Sequence, residues 1–398
     1  MTGIPYVALC TGLFVQTLVT MGAYTIPAAA PAIAADLNVP GERVGFFISI
    51  VYGMGMLSAV LSVSFIHRYG AVRVSQFIML AGIGLVAAAA LGGTVPALVL
   101  GGILLGCGYG ATAPTSSHLL MKRTPANIRN LVFSIRQIGV PLGGVFAGII
   151  VPPLVLDYDW QTAMAVQIVP ALIMLALLQI IRKEYDADRD PAVQINARGL
   201  VGPLSLLKTM PEIRAMAVMG FFYAGVQLCF VSFTSVHLFT EAGFDLVAAG
   251  AMLATYQISG VVSRPIWGVI ADRWLSARIL LIAMGFVMAA MALLAATYSQ
   301  EWSWAGIFVV SIVAGATASG YTGLAFAEYA RIGGAEHVAS STGLGASAQF
   351  FGVMILPTIF SLLVSEDGYS LAYQTIAAMA AGSGLALWIF GKPSSAQR

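Results

Sequence analysis

The sequence predicts an all-α integral membrane protein of twelve transmembrane helices in two pseudo-symmetric six-helix bundles. Three observations predict it. Hydrophobic residues make up 59% of the chain and charged residues only 9%, against about 25% charged in a soluble domain. The apolar residues fall into segments near the ~20 residues a helix needs to cross a bilayer. These segments are apolar nearly all round, whereas barrel strands would alternate over ~10 residues. Finally, the second half repeats features of the first at one constant offset: Arg68 with Arg273, Arg73 with Arg278, and Asp36 with Glu241.

The expected spans are 4–34, 44–66, 74–94, 97–120, 130–155, 161–182, 214–239, 247–271, 277–298, 303–328, 340–364 and 369–391. Asp36 and Glu241 follow spans one and seven. FIHRYGAVR (65–73) and VIADRWLSAR (269–278) follow spans two and eight. The longest hydrophilic connection, 183–213, holds RKEYDADRD and the prolines Pro191, Pro203 and Pro211. It reads as a linker, giving an N-terminal bundle over 1–182, a cytoplasmic linker over 183–213 and a C-terminal bundle over 214–398. Two six-span repeats in parallel orientation are a known transporter plan.

With both termini cytoplasmic, only Arg43 among the nineteen Lys and Arg lies in an outer loop, and only Arg136 and Arg264 lie inside spans. The positive-inside rule then sets the topology, multi-pass in the cell (inner) membrane. Cys10, Cys107 and Cys229 are odd in number and far apart in apolar segments, which argues against a disulfide framework or zinc site. The first apolar stretch is too long for a cleaved signal and lacks a basic lead. The net charge of +2 sits in membrane-flanking loops and gives no sign of nucleic-acid binding. No P-loop is present, so ATP is not the expected driver.

The two loops carry a family resemblance. The major facilitator superfamily reads approximately G-x-x-x-D-R-x-G-x-[RK]-[RK] after spans two and eight. Gly268-V-I-A-Asp272-Arg273-W-L-S-A-Arg278 resembles it closely, with Leu275 at the loop glycine. In the first copy His67 replaces the aspartate, while Arg68, Gly70 and Arg73 remain. The resemblance covers essentially the whole chain. It implies the facilitator fold, and it implies that Asp272, Arg273, Arg68 and Arg278 latch a cytoplasmic gate, the first latch being weaker. GVPLGGVFAG (139–148) resembles, imperfectly, the glycine–proline motif of superfamily antiporters. Its Gly139/Gly143 and Gly144/Gly148 pairs are also small-residue pairs that allow close helix packing. The arginine that drug–proton antiporters place in span four is missing from GGILLGCGYG (101–110).

The candidate site starts from Arg136 and Arg264. A charge inside a membrane costs about 2.5 kcal/mol on insertion scales and more in simulations, so it faces a cavity or a partner. No aspartate or glutamate lies mid-span. Glu328 and His118, near the ends of spans ten and four, are the nearest titratable groups. Arginine's planar fork suits a carboxylate. The S-R-P-x-x-G-x-x-A run around Arg264 also resembles the arginine–proline signature of monocarboxylate transporters. The oxalate–formate antiporter places a substrate-binding arginine in that same span. The resemblance implies that spans five and eight, which carry the two arginines, line a central cavity. Further cavity candidates are Gln16, Thr20 and Tyr24, four apart on one stripe, then Tyr223 and Gln227, Tyr256 and Gln257, and Gln349.

The expected function is secondary active transport of a small organic anion, a mono- or dicarboxylate, by alternating access. The expected partners are the anion, a proton or counter-anion, and the lipid bilayer, with no cofactor, a monomeric state and no nucleic acid. Proton-coupled export of drugs or amphipathic metabolites is the alternative. A membrane-embedded enzyme is remote, because His67, His118, His237 and His337 read as scattered and make no cluster with carboxylates.

Overall fold

The computed structural model describes residues 4–38, 44–195 and 201–390. Arg43, the one basic residue expected on the outer side, lies outside them. All regular structure among the described residues is helical. The first half forms α1 (Tyr6–Ala28), α2 (Ala30–Asp36), α3 (Val44–Tyr69), α4 (Ala71–Gly92), α5 (Val95–Arg123), α6 (Arg129–Gln137), α7 (Gly139–Asp157), α8 (Trp160–Ala165) and α9 (Ile168–Tyr185). The second forms α10 (Pro211–Thr240), α11 (Leu246–Arg273), α12 (Ala277–Ala295), α13 (Trp304–Ala314), a π-helical turn over Gly315–Ser319, and α14 (Thr322–Phe390).

Nine helical stretches among the described residues are long and apolar enough to cross a membrane. α11, with 28 residues, matches them in length. α14 has 69 residues, and drawn straight it would exceed three times a hydrocarbon core of about 30 Å. It turns at Gly334 (φ +61°) and Gly368 (φ +81°), in the left-handed region that glycine enters without a Cβ penalty. Those turns fall where the breaks between spans ten, eleven and twelve are expected. α8, α11, α12 and α13 start on side-chain oxygens of Asp159, Asp245, Ser276 and Ser303, which accept from backbone N–H groups three residues on. Such caps satisfy donors that a helix start leaves open.

The chain divides into two compact units. One comprises Met1–Thr124, Arg136–Ser205 and Gly333–Ser347, and the other Pro125–Ile135, Leu206–Ile332 and Ala348–Arg398. Each unit therefore takes in a short piece of the opposite sequence half. Close glycine contacts hold these pieces. In the first unit a Cβ at Gly343 would lie 2.4 Å from the Ala59 carbonyl. In the second, a Cβ at Gly268 would lie 2.6 Å from Leu131 Cα, and one at Gly323 2.4 Å from Ser134 Cα.

Within the first unit, the glycine–proline stretch packs α7 on α1. A Cβ at Gly139 would meet the Leu13 carbonyl at 2.7 Å, and one at Gly143 the Thr17 carbonyl at 2.5 Å. Gly144 and Gly148 face open space. The expectation of two close-packing pairs thus holds for the first and is corrected for the second. Gly144 and Gly148 are four apart and share a face where no atom among the described residues would lie within 4 Å of an added Cβ.

Candidate substrate site

In the first unit, packing of α7 on α1 brings the end of α6 against α1. Arg136 is 2% exposed. Its Nη2 donates to Gln16 Oε1 at 3.0 Å, and its Nη1 donates to Gln137 Oε1. Gln16 Nε2 in turn donates to Thr20 Oγ1 at 3.0 Å. The (i, i+4) spacing on α1 makes that last bond possible. Thr20, Tyr109 of α5, Tyr52 of α3 and Tyr24 lie close to one another, the Tyr52 and Tyr109 rings edge to face at 6.0 Å between centroids. The structure therefore joins Arg136, Gln16 and Thr20 in one polar chain and sets Tyr24 near it with two tyrosines from other helices. Arg136 Nε is buried and has no partner among the described residues.

In the second unit, α11 lies against the π-helical turn. Ser259 Oγ donates to the Ile312 carbonyl at 2.6 Å, and Ser263 Oγ and Trp267 Nε1 donate to the Ala316 carbonyl at 3.1 and 2.7 Å. Arg264, 3% exposed, donates through Nε and Nη2 to the Ser319 carbonyl at 3.2 and 3.1 Å, and through Nη2 to Ser319 Oγ at 3.1 Å. A π turn shifts the regular i→i+4 pattern and is frequent at functional sites. Here its carbonyls take side-chain donors from α11. Gln227 Nε2 reaches Ser319 Oγ at 3.5 Å, and the Gln227 carbonyl accepts from the Tyr256 hydroxyl at 3.5 Å. Arg264, Gln227 and Tyr256 thus meet around Ser319.

The remaining candidates are placed differently. Tyr223 is fully buried and donates to the Leu281 carbonyl at 2.8 Å, so its hydroxyl ties α10 to α12. Gln257 is exposed. Gln349 is 9% exposed, and its Nε2 is buried without a partner among the described residues. The two titratable groups nearest in sequence are engaged elsewhere. Glu328 receives two hydrogen bonds from Arg331, both 2.8 Å, and His118 Nε2 lies 2.8 Å from Asp188 Oδ2. The scattering expected of the histidines is corrected in part, since the His67 and His118 rings lie 6.0 Å apart on packed neighbours α3 and α5. No group of three His, Cys, Asp or Glu among the described residues could hold a metal.

The gate candidates engage helix ends. Asp272 Oδ1 accepts from Asn130 N at 3.0 Å and Asn130 Nδ2 at 2.8 Å, and its Oδ2 accepts from Leu131 N at 2.9 Å. These are donors at the start of α6, where the helix dipole favours an anion. Arg278 Nη2 donates to the Leu387 and Trp388 carbonyls at 3.0 and 3.2 Å, at the end of α14. Arg68 Nη1 donates to the Val193 carbonyl at 2.8 Å. Arg273 is exposed.

A sequence profile of the Major Facilitator Superfamily matches residues 12–350. The chain belongs to the Major Facilitator Superfamily. The all-helical fold agrees: a solved proton:xylose symporter, XylE, superimposes with a TM-score of 0.78 at 15% identity, covering 97% of this chain and 96% of that one. As a superfamily member, with apolar helices long enough to cross a bilayer among the described residues, the chain is a multi-pass membrane protein. Among curated relatives, the 4-hydroxybenzoate transporter PcaK of Acinetobacter baylyi is 28% identical over 157 residues, 39% of this chain and 34% of that protein. The hexuronate transporter of Bacillus subtilis is 24% identical over 250 residues, 61% of this chain and 59% of that protein. The chain thus spans between about a third and three fifths of the length of these relatives.

Several residues of these two clusters escape a reading of spacing. Ser319 and Tyr321 sit in the small-residue run GATASGYTG, where only the π turn reveals which carbonyls and hydroxyls face Arg264. Tyr321 is fully buried and its hydroxyl has no partner among the described residues. Tyr52 and Tyr109 are isolated tyrosines within apolar stretches of long helices. Their one signal is a polar group in a span, and their convergence with Tyr24 comes from packing across three helices.

Proposed function

We propose that this superfamily member is a secondary active transporter of a small organic anion, a mono- or dicarboxylate, working by alternating access, with Arg264 and Arg136 holding the anion. The observation that carries this reading is a buried arginine in each unit, held by neutral oxygens of Gln16, Gln137 and Ser319. Guanidinium groups are expensive at such depth, and a carboxylate meets their fork with two parallel charge-assisted bonds. Two similar transporters support the class by their names, since 4-hydroxybenzoate and hexuronates are both carboxylates. Gln16, Thr20, Tyr24, Gln227 and Tyr256 supply the surrounding polar contacts, and Gln349 a further amide. Tyr223 acts through packing, and Gln257 remains a peripheral candidate. Asp272, Arg273, Arg68 and Arg278 serve the gate. The basic loops and both termini face the cytoplasm in the cell membrane. The working unit is a monomer driven by a proton or counter-anion gradient.

The experiment is anion binding by Arg264→Ala and Arg264→Lys, normalised to folded protein in detergent. A charge-assisted hydrogen bond contributes roughly 1.5–3 kcal/mol, so the alanine variant loses about 10- to 150-fold in affinity. The lysine variant keeps the charge without the fork and falls between. Wild-type affinity in Arg264→Ala overturns the assignment and leaves Arg264 as a brace for the π turn. Proton-coupled export of drugs or amphipathic metabolites draws no support from the glycine–proline stretch, because contact with α1 already accounts for Gly139 and Gly143.

A further inference from the structure

One face of α10 carries Tyr223, Gln227, Phe230, Thr234 and His237, and Glu241 continues it just past the helix end. The spacing alternates four and three, which keeps one stripe on a helix. Gln227 belongs to the Arg264 site. His237 lies ten residues on, about 15 Å along the axis at 1.5 Å per residue, toward the end opposite the basic loops.

His237 is 1% exposed. Its ring stacks on Tyr369 at 4.2 Å between centroids and on Tyr373 at 5.3 Å, with Tyr298 at 5.7 Å. Tyr369 and Tyr373 come from α14, and Tyr298 follows α12. Glu241 is the charged group facing it: Oε2 lies 3.5 Å from His237 Nε2, and the carboxylate is half exposed. Nδ1 is buried and has no hydrogen-bond partner among the described residues. A neutral ring that directs Nε2–H at Glu241 leaves its lone pair on this Nδ1. Buried polar atoms in native proteins rarely go unpaired, and each exception calls for a reason.

The same rings lead back to the anion site. Tyr373 packs on Phe230 at 5.9 Å between centroids, and Phe230 stacks on Tyr256 at 5.9 Å. Tyr256 donates to the Gln227 carbonyl. A change of charge at His237 therefore bears, through three ring contacts, on a residue of the Arg264 site.

We propose that His237 is a proton-binding site linked to the anion site of the second unit, exchanging with water on the side that carries Glu241. This rests on the reading of the chain as an anion transporter. The proton comes from H₃O⁺ on the Glu241 side and reaches Nδ1 when the aromatic box loosens, while the Glu241 carboxylate accepts from Nε2–H. It adds to the bare imidazole nitrogen and leaves as H₃O⁺ by the same route, with no other bond made or broken. A buried imidazolium with one N–H unpaired is costly, so uptake of the proton is tied to opening of the box. Binding one proton with one carboxylate leaves the net charge of the protein unchanged.

The test is a histidine NMR titration of the full chain in nanodiscs, labelled with ¹⁵N at the imidazoles, between about pH 4 and 8, where histidine changes charge. Benzoate and D-glucuronate serve as probe anions. The signal lost in His237→Gln is expected to titrate in the wild-type protein. A bound probe is expected to shift its midpoint by about one pH unit, the reciprocal of a roughly 10-fold tighter anion affinity in the protonated state. In His237→Gln that pH dependence of affinity disappears. If that variant fails to fold, His67→Gln, His118→Gln and His337→Gln combined leave His237 as the single signal. A His237 signal that stays fixed across the range overturns the proposal. So does a midpoint that a bound probe leaves unmoved. Failure of any carboxylate to bind the wild-type protein, with His237 titrating normally, overturns the transport reading instead.

Discussion

The loops after α3 and α11 derive from one pattern, yet they secure the protein in different ways. The loop after α11 carries its own carboxylate, and Asp272 spends it on three donors at the start of α6. The loop after α3 has His67 at the matching position and borrows carboxylates from the connection that follows α9. Asp186, 4% exposed, accepts from Val72 N at 2.7 Å and Arg73 N at 3.0 Å, capping α4. Asp188 meets His118 at 2.8 Å and also Lys122. Asp190 N donates to the His67 carbonyl at 2.8 Å, and the Val193 carbonyl accepts from Arg68. Residues 186–193 form a strap on the first unit. Gly70 makes room for it: its φ is +92°, and a Cβ there would lie 2.2 Å from Asp186 Cγ. The difference teaches that an open helix start must find an acceptor, and that a pseudo-repeat can supply one from a different segment in each copy.

The largest effect that would break or sharpen this contrast is expected at Asp272. Asp272→Asn removes the charge that holds α6 while keeping the shape. Charge-assisted bonds run to roughly 1.5–3 kcal/mol, so turnover in proteoliposomes should drop about 10-fold or more, with anion affinity less affected. Unchanged turnover at equal protein would end the gating role. Next comes Asp186→Asn. Loss of a capping carboxylate costs about 0.5–2 kcal/mol. Thermal stability should fall and amide exchange across 186–193 should quicken, while turnover changes less than in Asp272→Asn. Equal slowing in both variants would show that the strap and the Asp272 loop do the same work.

A smaller effect concerns pH. Burial raises the Asp186 carboxyl above its ordinary value, against the pull of the Val72 and Arg73 N–H groups. The hydrogen bond from His118 holds Asp188 well below its own, with Lys122 adding to it. The two signs are opposite. Asp188 contributes stability that is present above about pH 3.9, the unfolded value, and is lost only as pH falls through its lower folded value. Asp186 in the folded protein takes up its proton already above about pH 3.9. Melting curves of Asp188→Asn should therefore keep a constant gap below wild type down to about pH 4, whereas the gap of Asp186→Asn should widen before that, because wild type gains stability as its raised carboxyl takes up the proton. Parallel curves would refute the assignment of opposite shifts. The smallest effect is expected at Arg273. It is exposed, and Arg273→Ala should change stability by no more than about 0.5 kcal/mol and slow turnover less than Asp272→Asn does. A larger loss would point to a partner made in another conformation.

Much of the candidate site was legible because membranes make polar residues conspicuous. Arg136, Arg264, Gln16 and Thr20 stand out in apolar runs, and the four-residue spacing on α1 pointed to one face. Tyr223 shows the limit: its spacing from Gln227 was sound, but its hydroxyl is taken by the Leu281 carbonyl. Glycine spacing likewise marked both Gly139/Gly143 and Gly144/Gly148, and packing on α1 uses the first pair alone.

By itself the sequence determined the helical class, the number of spans, the pseudo-repeat and the rarity of intramembrane charge. All of these follow from the cost of leaving backbone or charged groups unsatisfied in hydrocarbon, which is paid residue by residue along the chain. Only the tertiary structure decided which acceptor each donor meets. Ser319 for Arg264, Asp186 for the start of α4 and the aromatic box for His237 all join residues from separate helices. Such pairings depend on crossing points and rotations of helices, which packing sets and one-dimensional spacing leaves open.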